Sequence, residues 1–146
     1  MELERWEKVT GSFFYVGYKT KGAGTVTSAL VFLAAWFIQS GAVLTGILLV
    51  LLPLSFYLGY RFEKCIGHDP SCFTLDEVIG SLIVLCFIPH GPVYYLVFFI
   101  VWRLFDIFKP FFKPVEQIQY GIGIVLDDII GALCTVAVYF LYTWLI

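Results

Sequence analysis

Charged residues are scarce in this 146-residue chain: Asp, Glu, Lys and Arg together make up 14% of it, whereas 60% is hydrophobic. The mean hydropathy is +0.90, which implies more apolar surface than a soluble domain of this size can bury. A basic excess is also absent, because the formal net charge is −2, and we therefore expect no nucleic-acid partner. These shortages indicate a protein that is solvated by a lipid bilayer.

Paired metal-binding cysteine motifs are missing as well. Cys65 and Cys72 flank His68 at an irregular spacing that falls short of the usual zinc motifs, and the other two cysteines lie in apolar runs. The first ten residues are charged, and no short apolar run with a small-residue cleavage site follows, so we expect no cleavable signal peptide. Internal repeats are absent, and we expect one membrane-embedded domain, 1–146.

Long apolar stretches are what the sequence does contain. A membrane-crossing helix needs about 20 apolar residues to span about 30 Å of hydrocarbon, and the candidates are 25–38, 42–60, 78–88, 93–108 and 122–146. The third is short for a span and begins directly after Asp76 and Glu77. We predict an all-α, polytopic transmembrane bundle of about five helices. An aromatic-rich N-terminal segment is expected to lie in the headgroup region.

The charged residues are distributed unevenly along these stretches. The connections at 39–41 and 89–92 carry no Lys, Arg, Asp or Glu, and neither does the chain beyond Asp128. With five crossings, every charged residue would lie on one side, which the positive-inside rule assigns to the cytoplasm. We therefore expect the C-terminus outside. The acids share this side although the rule does not require it, which indicates an active face.

Several acids stand in or beside apolar helices, where a charge needs a partner or a hydrated cavity. Asp127 and Asp128 are adjacent in an otherwise apolar run, and two carboxylates held close repel unless one is protonated or a cation lies between them. Mg²⁺ fits, because it binds a few carboxylates together with water and phosphate oxygens. The candidate metal ligands or general bases are Asp76, Glu77, Asp106, Asp127 and Asp128, and the candidate phosphate-binding cations are Arg103, Lys109 and Lys21.

Other interpretations of the same residues stay open at this point. Asp76 and Glu77 could act only by stabilising a helix N-terminus, and Arg103 with Lys109 could be a helix end whose cations reach the headgroups. A cation or proton transporter could use the same acids, although few polar residues follow Asp128. A non-catalytic scaffold would explain the glycines but not the paired acids. Phosphoryl chemistry on a lipid accounts for the acids and the bases together.

Five short blocks follow one another along most of the chain: KGAGTVTS at 21–28, HD at 68–69, DEVIG at 76–80, RLFDIFKP at 103–110 and GIGIVLDD at 121–128. With these blocks in this order, the sequence resembles the bacterial phosphatidylglycerophosphatase A family of small, Mg²⁺-dependent lipid phosphatases of the inner membrane. Each block alone is weakly specific. Their order and their apolar context make the resemblance specific.

The resemblance implies hydrolysis of the phosphate monoester of phosphatidylglycerophosphate at the cytoplasmic face, giving phosphatidylglycerol and inorganic phosphate. We expect Mg²⁺ between the acids, with the phosphate bound by basic residues and by the hydroxyls of Thr25 and Ser28. Thr25 and Ser28 could instead be helix N-caps, because a capping hydroxyl and a phosphate-binding hydroxyl look the same in sequence. An Asp-x-Asp-x-Thr motif and a Cys-x5-Arg motif are both absent, so we expect metal-activated water as the nucleophile, with an Asp nucleophile left open. In this reading Mg²⁺ lies between Glu77, Asp106, Asp127 and Asp128, and Arg103 and Lys109 bind the phosphate.

Overall fold

A computed structural model describes residues 2–108 and 113–146, and this part of the chain is helical throughout, with turns and no strands. The all-α fold class is therefore confirmed. The helices are α1 (Arg5–Gly11), α2 (Val16–Lys19), α3 (Ala23–Trp36), α4 (Gly41–Ile66), α5 (Leu75–Phe87), α6 (Pro92–Phe108), α7 (Lys113–Glu116) and α8 (Ile122–Leu145).

The five apolar stretches each correspond to one helix, namely α3, α4, α5, α6 and α8. Two of them, α4 and α8, are long and apolar enough to cross a membrane by length and composition. The other three have 14, 13 and 17 residues, fewer than the roughly 20 that a full crossing needs. The long apolar helices indicate a membrane protein, but five crossings are not confirmed.

Helix α5 lies at the centre of the bundle and contacts α3, α4, α6 and α8. Nearly every residue from Leu75 to Leu85 is buried. The surrounding helices instead expose large apolar side chains on their outer faces: Leu49 is 66% exposed and Leu96 is 63% exposed. Such an apolar exterior is unusual for a monomer in water and is expected for one in lipid.

Glycines allow α5, α6 and α8 to pack closely around one tryptophan. Trp102 of α6 is fully buried, and its ring lies against Gly80 of α5 and Gly131 of α8. A Cβ atom at Gly80 would overlap the ring, and one at Gly131 would lie 3.1 Å from it. The buried Trp102 ring fixes the orientation of α6 about its own axis. It thereby also fixes the direction in which Arg103, the next residue, and Asp106, one turn later, project.

The N-terminal helix is attached to α4 by a buried ion pair. Glu7 is 1% exposed, and its Oε1 lies 2.6 Å from Nε of Arg61. Its Oε2 accepts a hydrogen bond from the backbone N–H of Glu4 at 2.7 Å, which caps α1. The Arg61 hydrogen bond lowers the pKa of Glu7 below its ordinary value of 4.5. The pair therefore stabilises the fold above that pH, and its contribution is lost as the pH falls through the lowered pKa.

Candidate active site

Three helix ends meet at one end of the bundle and bring the acids together. The first turn of α5 carries Asp76 and Glu77, the last turns of α6 carry Asp106, and the first turns of α8 carry Asp127 and Asp128. All five side chains line one cleft of about 600 Å³, which the loop before α3 also borders. The sequence prediction that these acids share one site agrees with this geometry.

Three of the acids converge closely enough to hold one metal ion. Carboxylate oxygens of Glu77, Asp106 and Asp128 all lie within 4.8 Å of one another. Among the described residues, the buried Oδ2 of Asp128 has no hydrogen-bond partner, as expected of an oxygen that is available to a bound ion. The donors are all carboxylate oxygens, which hard divalent cations such as Mg²⁺ prefer. The residues present therefore fit a divalent cation.

Asp76 and Asp127 border the cleft but lie outside this group of three. Oδ1 of Asp76 accepts a hydrogen bond from the backbone N–H of Glu77 at 2.9 Å. In the same way, Oδ1 of Asp127 accepts one from the backbone N–H of Asp128 at 3.0 Å. Each carboxylate thus has one oxygen turned toward its own helix. Their roles as metal ligands stay predictions.

Arg103 connects the acids to one another. Its Nη1 forms an ion pair with Oε2 of Glu77, and its Nη2 lies 2.8 Å from Oδ2 of Asp106. The same two nitrogens donate to the hydroxyls of Ser28 and Thr25, each at 3.3 Å. Arg103 is buried, and both of its terminal nitrogens contact a carboxylate and a hydroxyl. Arg103 therefore positions two members of the acidic group, and its predicted contact with phosphate stays a prediction.

The two hydroxyl residues of α3 are not helix caps. Helix α3 has Gly22 as its N-cap, so Thr25 and Ser28 lie inside the helix and the capping alternative does not apply. Ser28 is fully buried, and its hydroxyl donates to Oε2 of Glu77 at 3.3 Å. Thr25 is exposed. Both lie against Arg103 instead of facing the open cleft.

The glycine-rich start of α3 allows the helix to approach the acids. A Cβ atom at Gly24 would overlap the carboxylate of Glu77 and would lie 3.3 Å from Nη2 of Arg103. Lys21 is exposed and borders the cleft, where its ammonium can meet an incoming anion. Lys109, the other lysine predicted to bind phosphate, lies outside the described residues.

The cleft also contains residues that sequence reasoning did not place in the site. Asp69 and Ser71, from the loop before α5, line it. Asp69 has a φ of 47°, a left-handed conformation that Asp tolerates better than most residues. The HD block at 68–69 could have pointed to Asp69. A polar pair in a loop is a stronger sign of function when it belongs to an ordered set of blocks.

Glu63 is a further residue that the sequence prediction missed. Its Oε2 accepts a hydrogen bond from the backbone N–H of Gly121, the N-cap of α8. Its Oε1 lies 2.8 Å from Nδ1 of His68. Glu63 therefore links the end of α4 and the loop that carries Asp69 to the start of the helix that carries Asp127 and Asp128.

The charge balance of the cleft sets its chemistry. Among the described residues, its lining carries the carboxyl groups of Asp69, Asp76, Glu77, Asp106, Asp127 and Asp128, with Lys21 at the rim and Arg103 behind. Such an excess of acids attracts cations and repels a bare phosphate. An anionic substrate can enter only when a bound cation or protonation offsets the acids.

Buried carboxylate oxygens joined by a guanidinium, at one end of an apolar helical bundle, indicate a class: a membrane protein whose acidic cluster could hold a metal ion. The chain belongs to the phosphatidylglycerophosphatase A family, whose sequence profile matches residues 9–143. The resemblance drawn from the five blocks is thereby confirmed. Family membership identifies the chain as a lipid phosphatase, a hydrolase of phosphoric monoesters, as predicted.

Two relatives cover most of the chain. The phosphatidylglycerophosphatase A of Haemophilus influenzae is 36% identical over 124 residues, which are 72% of this chain and 75% of the relative. A Bacteroides thetaiotaomicron protein described as "Putative phosphatidylinositol-3-phosphatase" is 27% identical over 132 residues, 85% of this chain and 83% of the relative. No solved structure matches the chain significantly.

Proposed function

We propose that this protein hydrolyses the phosphate monoester of phosphatidylglycerophosphate and releases phosphatidylglycerol and inorganic phosphate. The observation that carries the proposal is the buried group Glu77, Asp106 and Asp128 in a chain of this family. The 36% identity to the Haemophilus enzyme supports this substrate over the one named for the 27% identical relative. Transport through the same acids, the alternative interpretation, has no support from either relative.

The proposed cofactor is Mg²⁺, which Glu77, Asp106 and Asp128 would hold, with Asp76 and Asp127 bordering the ion from the same cleft without being its main ligands. Bound there, Mg²⁺ would supply positive charge against the phosphate and activate a water nucleophile. Arg103 positions Glu77 and Asp106.

In the proposed reaction, water attacks phosphorus and the bond from phosphorus to the lipid glycerol oxygen breaks. We assign to Asp127 the role of accepting the proton of the attacking water, since it faces the cleft beside the group of three. The departing glycerol oxygen takes a proton from solvent and leaves as an alcohol, and Asp127 returns its own proton to solvent. Lys21 and Lys109 are proposed to bind the phosphate, and Arg103, held in place by Thr25 and Ser28, to offset its charge from behind the acids.

The proposed location is the bacterial inner membrane, with five crossings, the acidic cleft on the cytoplasmic side and the C-terminus outside. The support is the separation of charged from uncharged connections. Helices α3 and α5 are short for a crossing, so the bilayer would have to be locally thin around them.

Substituting the paired acids tests the site. Asp128→Asn should lower phosphate release about 10²-fold or more and weaken Mg²⁺ binding, because it removes a ligand oxygen. Asp127→Asn should lower release similarly but retain most Mg²⁺ binding, because it removes the proposed base. Phosphate assays and isothermal titration calorimetry measure the two effects, and circular dichroism checks the fold.

Glu2→Gln, which changes an exposed acid that does not line the cleft, is the matched control and should behave as wild type. An Asp128→Asn protein that releases phosphate and binds Mg²⁺ like wild type would contradict the assignment.

A further inference from the structure

An apolar groove runs between α3 and α6 on the outside of the bundle. It has a volume of about 460 Å³, within the range of small-molecule sites. Its floor is aromatic: the ring of Phe32 lies 5.8 Å from that of Tyr95 and 5.4 Å from that of Phe99, both edge to face. Leu33 and Leu96 form its walls and are 59% and 63% exposed.

One end of the groove lies close to the acidic site. One turn from Ala29, which lines the groove, α3 reaches Thr25, and one turn from Phe99, α6 reaches Arg103. Nη2 of Arg103 donates to the hydroxyl of Thr25 at 3.3 Å. The groove therefore ends about one helical turn from the residue that bridges the acids.

The other end of the groove is closed by Trp36. Its ring lies 4.7 Å from that of His90, and Nε2 of His90 lies 3.0 Å from the backbone oxygen of Trp36. At 1.5 Å per helical residue, the distance along α3 from Thr25 to Trp36 is about 16 Å. The groove thus runs along the helices away from the site, and none of the described residues that line it is charged.

We propose that this groove holds one acyl chain of the lipid substrate while the phosphorylated headgroup lies in the acidic cleft. The inference rests on the proposed function, because only a substrate with an acyl chain has an apolar part that can occupy the groove. Apolar contact along the chain would supply binding energy remote from the reacting phosphorus, and this energy would position the phosphate.

Filling the groove tests the proposal. Ala29 is small and exposed, so Ala29→Phe should occupy the end nearest the site. We expect the KM for long-chain phosphatidylglycerophosphate to rise about tenfold or more. This is the effect expected if roughly two methylene groups of the acyl chain lose their apolar contact with the groove. The KM for the deacylated, water-soluble headgroup should change less than about twofold.

Ala34→Phe is the matched control, because Ala34 is an exposed alanine of the same helix that does not line the groove. It should leave both KM values unchanged. If Ala29→Phe changes neither KM, or raises both equally, the groove does not hold the chain. If wild type hydrolyses neither substrate, the proposed function itself fails, so the two failures are distinguishable.

A second measurement does not depend on turnover. Phosphatidylglycerophosphate with a diazirine in one acyl chain, photolysed with the full-length Asp127→Asn variant in phosphatidylcholine vesicles containing Mg²⁺, should label Phe32, Leu33 and Leu96. This variant is used because it should retain Mg²⁺ but release phosphate only slowly. The same diazirine chain on phosphatidylcholine should label them more weakly. Equal labelling by both lipids would mean that bulk bilayer lipid fills the groove and would overturn the proposal.

Discussion

At the scale of single residues, side chains far apart in sequence share one set of charges. Arg103 bridges Glu77 and Asp106, and Glu77 and Asp106 converge with Asp128. The sequence predicted these acids as a group because carboxylates in apolar helices need a compensating partner in lipid. It could not predict that Arg103 contacts the acids, because a guanidinium can pair with a carboxylate as well as with a phosphate.

The contacts of Glu63 show a further limit of sequence reasoning. Its hydrogen bond to Gly121 joins residues 58 positions apart, and neither residue carries a local signal of that pairing. Glu63 lies in the last turns of α4. From sequence, an acid at such a position is expected to be an ordinary solvent-exposed residue. Only the close packing of α4 against the start of α8, glycine to glycine at Gly59 and Gly121, makes the contact possible.

Gly24 provides a test at this scale. Gly24→Ala should displace the carboxylate of Glu77 and lower phosphate release roughly tenfold or more, because misplacing a positioned group by about 1 Å can cost as much as 10²-fold. Gly46→Ala is the control: nothing lies within 4 Å of a Cβ there, and alanine favours a helix. Its release should match wild type. Equal activity of the two variants would show that the approach of α3 to Glu77 is unimportant.

At the scale of helices, the sequence predicted much of the fold. Apolar stretches bounded by Pro, Gly and polar residues mark α3, α5, α6 and α8 to within about three residues. Helix α4 continues to Ile66, beyond the predicted end at 60, because its last turns are polar and hydropathy cannot detect them. The central position of α5 was not predictable either, since all the apolar helices look equally hydrophobic in sequence.

The packing of α6 against α5 and α8 gives a graded prediction. Gly80→Ala should destabilise the protein by about 1–3 kcal/mol, the usual cost of overpacking, because its Cβ would overlap the Trp102 ring. Gly131→Ala should cost less, since its Cβ would lie 3.1 Å from that ring. Thermal unfolding in detergent measures both. If Gly131→Ala were the more destabilising variant, the packing of the Trp102 ring would not depend on the missing side chain at Gly80.

At the scale of the whole molecule, the separation of charges places the chemistry at one end. Every charged connection would lie on the side of the acidic cleft if the chain crosses five times. A reporter that is active only outside the cytoplasm, fused after Ile146, should then be active, and one fused within the 61–75 connection should be inactive. Activity at both positions, or at neither, would contradict five crossings.

The most direct test of the whole account is phosphate release by the purified protein from phosphatidylglycerophosphate in detergent, with Mg²⁺ and then with EDTA. The account predicts release with Mg²⁺, loss of release with EDTA and recovery when Mg²⁺ is restored, because the acidic cleft repels phosphate without a cation. Folded protein that releases no phosphate with Mg²⁺, or releases it equally in EDTA, would contradict the account.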